Sequence, residues 1–187
     1  GVGAVVKSGS GALELSGANA FSGGVQLGSG TLRIGNNSAL GSGTLTVNGG
    51  TIAGNDGSTT RTLANAVTWG SSVQFGDGVK GAGLVFSGNT VLGGSLSLGV
   101  NVPVTLSGVL SDAASGYGIT KTGTGTLVLS GANTYSGPTV LSAGTLAVGN
   151  NSGLGTGVLT LTSGQMSSSS STARTLSNSV VYGGTVT

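Results

Sequence analysis

Paired carboxylates can hydrolyse glycosidic bonds and clustered carboxylates can bind calcium, so the acidic side chains are considered first. The chain has four: Glu14, Asp56, Asp77 and Asp112. They are far apart in sequence, and only Asp56 and Asp77 would meet in a fold that repeats every ~22 residues. A turn at Asn55-Asp56-Gly57 explains the first of these more simply. We therefore predict neither a calcium site nor a catalytic pair.

Histidine and cysteine are absent from the sequence. Their absence removes the usual general base, the Ser-His-Asp and Cys-His arrangements, and the commonest zinc sites. The dipeptides Lys7-Ser8 and Lys121-Thr122 have the residue types of a lysine-activated nucleophile, but we expect both lysines at solvated ends of strands. The sequence thus predicts a protein that is not an enzyme, with no catalytic, metal-binding or cofactor-binding residues and no cofactor.

Nucleotide, nucleic-acid and membrane binding are also not predicted. Residues 76–81 (G-D-G-V-K-G) have G-x-G-x-x-G spacing, but that fingerprint requires a following helix, and Leu84-Val85-Phe86 is typical of a strand. The six lysines and arginines are scattered, whereas nucleic-acid binding needs them clustered. No apolar run approaches the roughly 18 residues of a membrane-spanning helix.

The composition favours an all-β fold. Glycine occurs 40 times in 187 residues and only 5% of residues are charged, against averages of about 7% and 25%. The mean hydropathy of +0.34 argues against disorder. Short runs of valine, threonine and leucine are interrupted by glycine, serine and asparagine, which is typical of short strands and tight turns.

Most of these runs have the pattern apolar-x-apolar. Examples are residues 32–34, 45–47, 67–69, 73–75, 96–98, 104–106 and 159–161. Because side chains alternate across a strand, the outer two residues face one side and the middle residue the other. The middle residues are mostly Arg, Thr, Gln or Ser, so we expect the outer two in a core. Replacement of Leu129 by aspartate should then lower the free energy of unfolding strongly, and replacement of Arg33 should lower it only slightly.

The chain repeats itself. Residues 7–50 realign with 121–164 at an offset of 114, with 25 of 44 positions identical. We place the repeats at 7–74, 84–99 (degenerate) and 121–187. The spacings of Leu13, Leu84 and Leu127 correspond to three and then two units of roughly 22–24 residues.

A unit of this size cannot bury its own apolar face and must stack on its copies. Strands of three residues that bend at glycine suit a three-sided coil, because glycine adopts positive φ freely. We therefore predict that residues 1–187 form one right-handed parallel β-helix of about eight coils. A β-sandwich is the alternative, since its strands alternate in the same way.

The motifs that recur in both copies are specific. One is L-S-G-A-N-T-Y-S-G at residues 129–137, and another is G-T-L-A-V-G-N-N-S at 144–152. Residues 13–45 and 127–159 thereby resemble the passenger-associated repeat of bacterial autotransporters. Pro138 replaces Gly24 and Thr139 replaces Val25, and we interpret both changes as tolerated variation at a corner.

The resemblance implies a β-helical passenger at the surface of a Gram-negative bacterium, anchored to the outer membrane through other parts of the chain. The leading functional hypothesis is an extracellular structural or adhesive stalk segment. One alternative is a glycan-binding β-helix module, in which Trp69 would be the aromatic side chain that contacts a sugar. We otherwise expect the aromatics, Phe21 and Tyr135 among them, in core or corner packing.

A second alternative is a self-assembling filament or fibre subunit. The second copy stops mid-pattern at Thr187, so we expect unpaired end coils to associate with another copy. The expected partners are therefore the chain itself, end to end or laterally, or glycans and proteins of host or cell surfaces.

Overall fold

The computed structural model describes residues 1–186 and consists of twenty β-strands. Thr187, the last residue of the predicted repeat 121–187, lies outside the described residues. Residues 1–186 contain no helix, and therefore none long and apolar enough to cross a membrane.

The strands lie on three sides of a coil, which we call faces A, B and C. Face A consists of β1 (Val5–Lys7), β3 (Val25–Leu27), β5 (Leu45–Val47), β8 (Val67–Trp69), β11 (Thr90–Leu92) and β14 (Leu110–Ser111). Face B consists of β2 (Ala12–Leu15), β4 (Thr31–Ile34), β6 (Thr51–Gly54), β9 (Val73–Phe75), β12 (Leu96–Val100), β15 (Ile119–Thr122), β17 (Thr139–Leu141), the start of β19 (Leu159–Ser168) and β20 (Val180–Val186). Face C consists of β7 (Arg61–Leu63), β10 (Leu84–Phe86), β13 (Val104–Leu106), β16 (Thr126–Leu129), β18 (Thr145–Val148) and the end of β19.

Each strand pairs in parallel with the strands of the adjacent turns on its face. Val5, Val25 and Leu45, for example, are direct partners on face A. The chain forms a β-solenoid of about 9 turns. The predicted parallel β-helix is confirmed, with one turn more than expected. The β-sandwich alternative is wrong, because a sandwich joins sequential strands through antiparallel pairing.

The core is a set of apolar ladders inside the coil. Leu127 and Leu129 are fully buried, whereas Val128 between them is half-buried and faces outward. Leu84, Val104 and Leu127 stack as partners on successive turns of face C. Full burial of a leucine stabilises the fold by about 1.5–3 kcal/mol, so these ladders supply the main force that joins the turns.

The two sequence copies do not occupy the same faces. β2 lies on face B, and its counterpart 114 positions later, β16, lies on face C. Five steps along face B lead from β2 to β15, and β16 is the next strand of the chain. The repeat therefore advances by five turns and one face, whereas the sequence suggested five turns. The reason is that turns with two strands are shorter than expected, at 20 residues from Val25 to its partner Leu45.

One side of each end section carries no strand, and we call it the irregular side. In the first copy it is formed by residues 16–24 and 35–44, below the position that face C occupies in later turns. In the second copy it is formed by residues 130–138 and 149–158, above the last strand of face A. The irregular side thus changes position along the solenoid, and only the central turns have strands on all three faces.

A pair of adjacent substitutions tests the direction of the side chains. Leu129→Asp should lower the free energy of unfolding by about 3–5 kcal/mol, because it places an unpaired carboxylate in the core. Val128→Asp should cost under about 1 kcal/mol, because that position faces solvent between Thr105 and Ala147. Urea denaturation followed by circular dichroism measures both, and equal losses would mean that the inner and outer faces are reversed.

Candidate functional site

Two arginines pair with the two carboxylates that sequence analysis considered together. Arg61 Nη2 lies 2.5 Å from Asp56 Oδ2, and Arg33 Nη2 lies 2.7 Å from Asp77 Oδ2. Each carboxylate also accepts backbone N–H groups of its own loop. Both acids are therefore occupied by contacts that hold their loops. Among the residues that the structure describes, no group of three acidic side chains is placed to hold a metal ion.

These contacts lower the pKa of both acids. The N–H groups of Thr59 and Ser58, with smaller help from Arg61, lower the pKa of Asp56 to about 2. Burial opposes ionisation of Asp77, but loop N–H groups and Arg33 outweigh it and lower its pKa. Aspartate at position 33 would lose an ion pair and face Asp77, so the low cost expected there from sequence does not hold.

Lys7 and Lys121, which sequence analysis placed at solvated strand ends, are buried; that prediction is wrong. Lys7 is 7% exposed and Lys121 is 0% exposed. Each side chain points into the coil, in line with a leucine on the adjacent turn (Leu27 and Leu141). Each ammonium donates to three backbone carbonyl oxygens at 2.7–3.1 Å. Burial lowers the pKa of Lys121 to about 8.

Asp112 forms a second buried polar centre. The residue is 2% exposed, and its carboxylate accepts hydrogen bonds from the hydroxyl and the N–H of Ser136 on the next turn, at 2.7 and 3.1 Å. It also accepts three N–H groups of its own loop, from Ala114, Gly116 and Tyr117. The loop backbone is strained, because Ala113 and Ala114 have φ of 50° and 61°, which non-glycine residues rarely adopt. The hydroxyl and N–H donors lower the pKa of Asp112 to about 2 against the effect of burial.

Asparagine side chains join the irregular sides to the neighbouring turns. Asn19 and Asn133, which are equivalent in the two copies, each donate to one backbone carbonyl oxygen, at 2.8 and 2.7 Å. Asn65 and Asn178 each donate to two backbone carbonyl oxygens, at 2.7 and 3.1 Å. Sequence analysis did not single out these four residues, although their recurrence in both copies is a usable signal.

The Asn-Asn pairs have two different roles. Asn36 and Asn150 accept the N–H of the residue two positions later at 2.9 Å, which is the turn geometry expected of them. Asn37 and Asn151 instead accept the N–H of Thr62 and of Thr175 on the next turn, at 3.0 and 3.3 Å. They take the place of a backbone carbonyl where the irregular side has no strand to offer one.

Four of the seven aromatic side chains are fully buried in the core, whereas Tyr182 is 72% exposed. Trp69, Phe75 and Phe86 pack edge to face with ring centroids 5.4–5.7 Å apart, and all three are fully buried. Trp69 therefore offers no platform for a sugar ring. Tyr135 is also fully buried, which confirms the packing role expected for it.

Tyr135 and Thr139 form a buried hydrogen bond between hydroxyl groups at 2.5 Å. The equivalent residues of the first copy are Phe21 and Val25, neither of which has a hydroxyl group. Thr139 and Val25 both face the core, so their exchange is not the corner variation that sequence analysis assumed. The two hydroxyls are present or absent together, because either alone would be buried without this partner.

The outer surface has two adjoining hollows on face B, with volumes of about 250 and 370 Å³. They share Ser72 and Ser97, and the other polar side chains that line them are Thr51, Gln74, Ser95 and Thr120. The lining contains no charged and no aromatic side chain. Hydroxyl and amide groups of this kind can bind neutral polyhydroxylated ligands through hydrogen bonds.

Three segments, residues 5–34, 25–53 and 119–148, match the passenger-associated-transport-repeat family. In addition, 93 residues, or 49% of the chain, are 36% identical to a protein named adhesin BmaC autotransporter of Brucella suis biovar 1 (strain 1330), and they cover 3% of that protein. No solved structure matches the chain. The segments that match the family coincide with the turns that have two strands and an irregular side. The matches confirm the resemblance to autotransporter passenger repeats that was inferred from sequence.

The Tyr135–Thr139 pair makes a double-mutant prediction. Thr139→Val should cost about 1–3 kcal/mol, because it leaves the Tyr135 hydroxyl buried without a partner. Tyr135→Phe should cost less, because Thr139 retains a contact with the Leu154 carbonyl oxygen at 3.4 Å. The double variant recreates the Phe21–Val25 pair and should be more stable than Thr139→Val alone, as measured by urea denaturation. Additive losses would show that the two hydroxyls are not coupled.

Asp112 makes a pH prediction. Its pKa is about 2 in the fold, below the ordinary 3.8, so its stabilising effect is complete above pH ~4 and is lost as the pH falls towards 2. The wild-type free energy of unfolding should fall more steeply over that interval than that of Asp112→Asn. Ser136→Ala removes the strongest donor and should give an intermediate slope. Identical slopes for all three proteins in denaturation at several pH values would contradict this role of Asp112.

Proposed function

We propose that this chain, parts of which match the passenger-associated-transport-repeat family, is a rod-like segment of an adhesin passenger at a bacterial outer surface. Its role is structural: it supplies length, stiffness and a repetitive outer surface that supports adhesion. About 9 turns spaced ~4.8 Å apart give a rod of roughly 43 Å. Because the matched stretch covers 3% of the named adhesin, the activity of a whole passenger is part of this proposal.

The proposal rests on a comparison of the two sequence copies, which share more of their inward residues than of their outward residues. Within 7–50 and 121–164, inward strand positions are identical or similar in size, as in Leu13/Leu127 and Leu32/Leu146. Thr31/Thr145 and Thr46/Thr160 are shared outward positions, but most outward positions differ in chemistry. Glu14, Gln26 and Arg33 correspond to valine, valine and alanine. A repeat that kept a binding surface would share outward residues, whereas this repeat shares those that build the rod.

The low surface charge favours lateral contacts between copies of the rod. From residue 81 onward the sequence has three charged residues, Asp112, Lys121 and Arg174, and the first two are buried. Soluble proteins usually have roughly 25% charged residues. With so little charge there is little electrostatic repulsion between two copies or between the rod and another surface. Lateral self-association is therefore part of the proposed role.

A glycan-binding module is the second candidate, and the hydroxyl-lined hollows on face B favour it. A neutral polysaccharide that crosses several turns could form hydrogen bonds with Ser97, Thr120 and Gln74. The absence of an exposed aromatic from the hollow speaks for weak binding, because stacking supplies much of the affinity for sugars.

Two pairs of outward substitutions distinguish the candidates in bacteria that display this chain as part of a passenger. Ser97→Lys with Thr120→Lys fills the hollows of face B, and Thr105→Lys with Val128→Lys alters face C. If the chain is a structural rod, attachment to host cells per displayed molecule should stay within about twofold for both pairs, because single outward changes cost little stability. Loss of attachment with the face B pair alone would support the glycan-binding module, and loss with both pairs would overturn the structural role.

A further inference from the structure

The two buried lysines have the same surroundings at two corners of the solenoid. Lys7 Nζ donates to the carbonyl oxygens of Ser8, Gly9 and Ser29, at 2.8, 2.7 and 3.1 Å. Lys121 Nζ donates to those of Thr122, Gly123 and Ala143, at 2.9, 2.8 and 3.0 Å. The acceptors are at equivalent positions in the two copies. In each set, two oxygens belong to the corner that follows the lysine and the third belongs to the next turn.

The surroundings of the Lys121 ammonium supply acceptors only. Its three hydrogen bonds use all the donors that an ammonium has, whereas a neutral amine would direct a lone pair at an oxygen. The flanking strands β12, β16 and β17 contain no titratable side chain, and neither do the corner segments 123–125 and 142–144. Among residues 1–186 no carboxylate forms an ion pair with Lys121, and the three carbonyl oxygens are the groups that contact its charge.

The corner is shaped around the cation. Gly144 has φ of 67°, and a Cβ atom at this position would lie 2.9 Å from Lys121 Nζ. Gly30 has the same relation to Lys7: its φ is 74°, and a Cβ atom at this position would lie 2.5 Å from Lys7 Nζ. Glycine is thus required both for the backbone conformation and for the space that the ammonium occupies.

We propose that each of these corners is a binding site for a small monovalent cation, made of backbone carbonyl groups from two successive turns. The tethered lysine ammonium is its resident ligand. The site is complete only when the next turn is in place, because that turn supplies the third oxygen. The lysine therefore links successive turns from the inside. A free primary ammonium ion binds in the same place when the side chain is shortened.

Chemical rescue of Lys121→Ala tests the proposal. The variant lacks three methylene groups and the ammonium, which n-propylammonium chloride replaces. Loss of the ammonium should lower Tm by about 5–10 °C. Addition of n-propylammonium should raise Tm of this variant by several degrees more than that of the wild type. Tetramethylammonium chloride at the same concentration has no N–H donor and should give no such increase.

Two control variants separate the cation site from a simple cavity. Leu141→Ala creates a cavity beside the site but keeps the lysine, and n-propylammonium should not rescue it. Lys121→Met fills the space of the lysine stem without a charge, so it should lose stability and also resist rescue. Equal effects of both salts on all variants, or a Lys121→Met protein as stable as wild type, would overturn the proposal.

Acylation of the wild-type chain tests the same site without any substitution. With an amine-reactive ester at pH 8, Lys121 should react at least about 100-fold more slowly than Lys80, because reaction at a buried amine requires opening of the fold. Peptide mass spectrometry measures both rates. Similar reactivity of the two lysines would show that the ammonium is not held inside the corner.

Discussion

The strands of this molecule form their hydrogen bonds with the turns before and after them, and the rest of the structure depends on this constraint. A turn of 20 residues, such as that from Val25 to Leu45, has no core of its own and is stable only when stacked. Three buried polar side chains follow the same rule. Lys7, Asp112 and Asn133 each use partners on the next turn. Apolar ladders and polar contacts therefore stabilise the same interface, the one between turns.

The sequence predicted the strands and their inward residues because apolar residues at every second position of a strand mark its buried side. It predicted the stacking because the repeated unit is too small to fold alone. It did not predict the burial of Lys7, although Val5 and Lys7 are spaced as an inward pair and Lys121 repeats the pattern. Lysine is rarely buried, and carbonyl groups that compensate its charge come from backbone geometry, which residue types do not reveal. Arg33 was placed outward correctly, but its pairing with Asp77 depends on the path of a long loop.

The differences between the copies are as informative as their identities. Several outward positions, such as Glu14 and Arg33, have changed in charge, whereas the inward change from Val25 to Thr139 is accompanied by the change from Phe21 to Tyr135. A solvent-facing side chain has few neighbours to satisfy. An inward polar atom must find a partner or pay the cost of desolvation. The outer surface thus varies freely, whereas the buried change that introduces a hydroxyl group is matched by a second hydroxyl group beside it.

The advance of the repeat by five turns and one face gives the rod the symmetry of a screw. Equivalent residues of the two copies lie about 26 Å apart along the axis, at ~4.8 Å per turn, and point in directions a third of a revolution apart. In a tandem array of such units, three copies would be needed before a motif returned to the same side. A strip on one side of a straight rod meets a target only when the rod is turned towards it. A screw of this kind presents the same motif in three directions around the axis, so that one copy faces a target more often as the rod rotates.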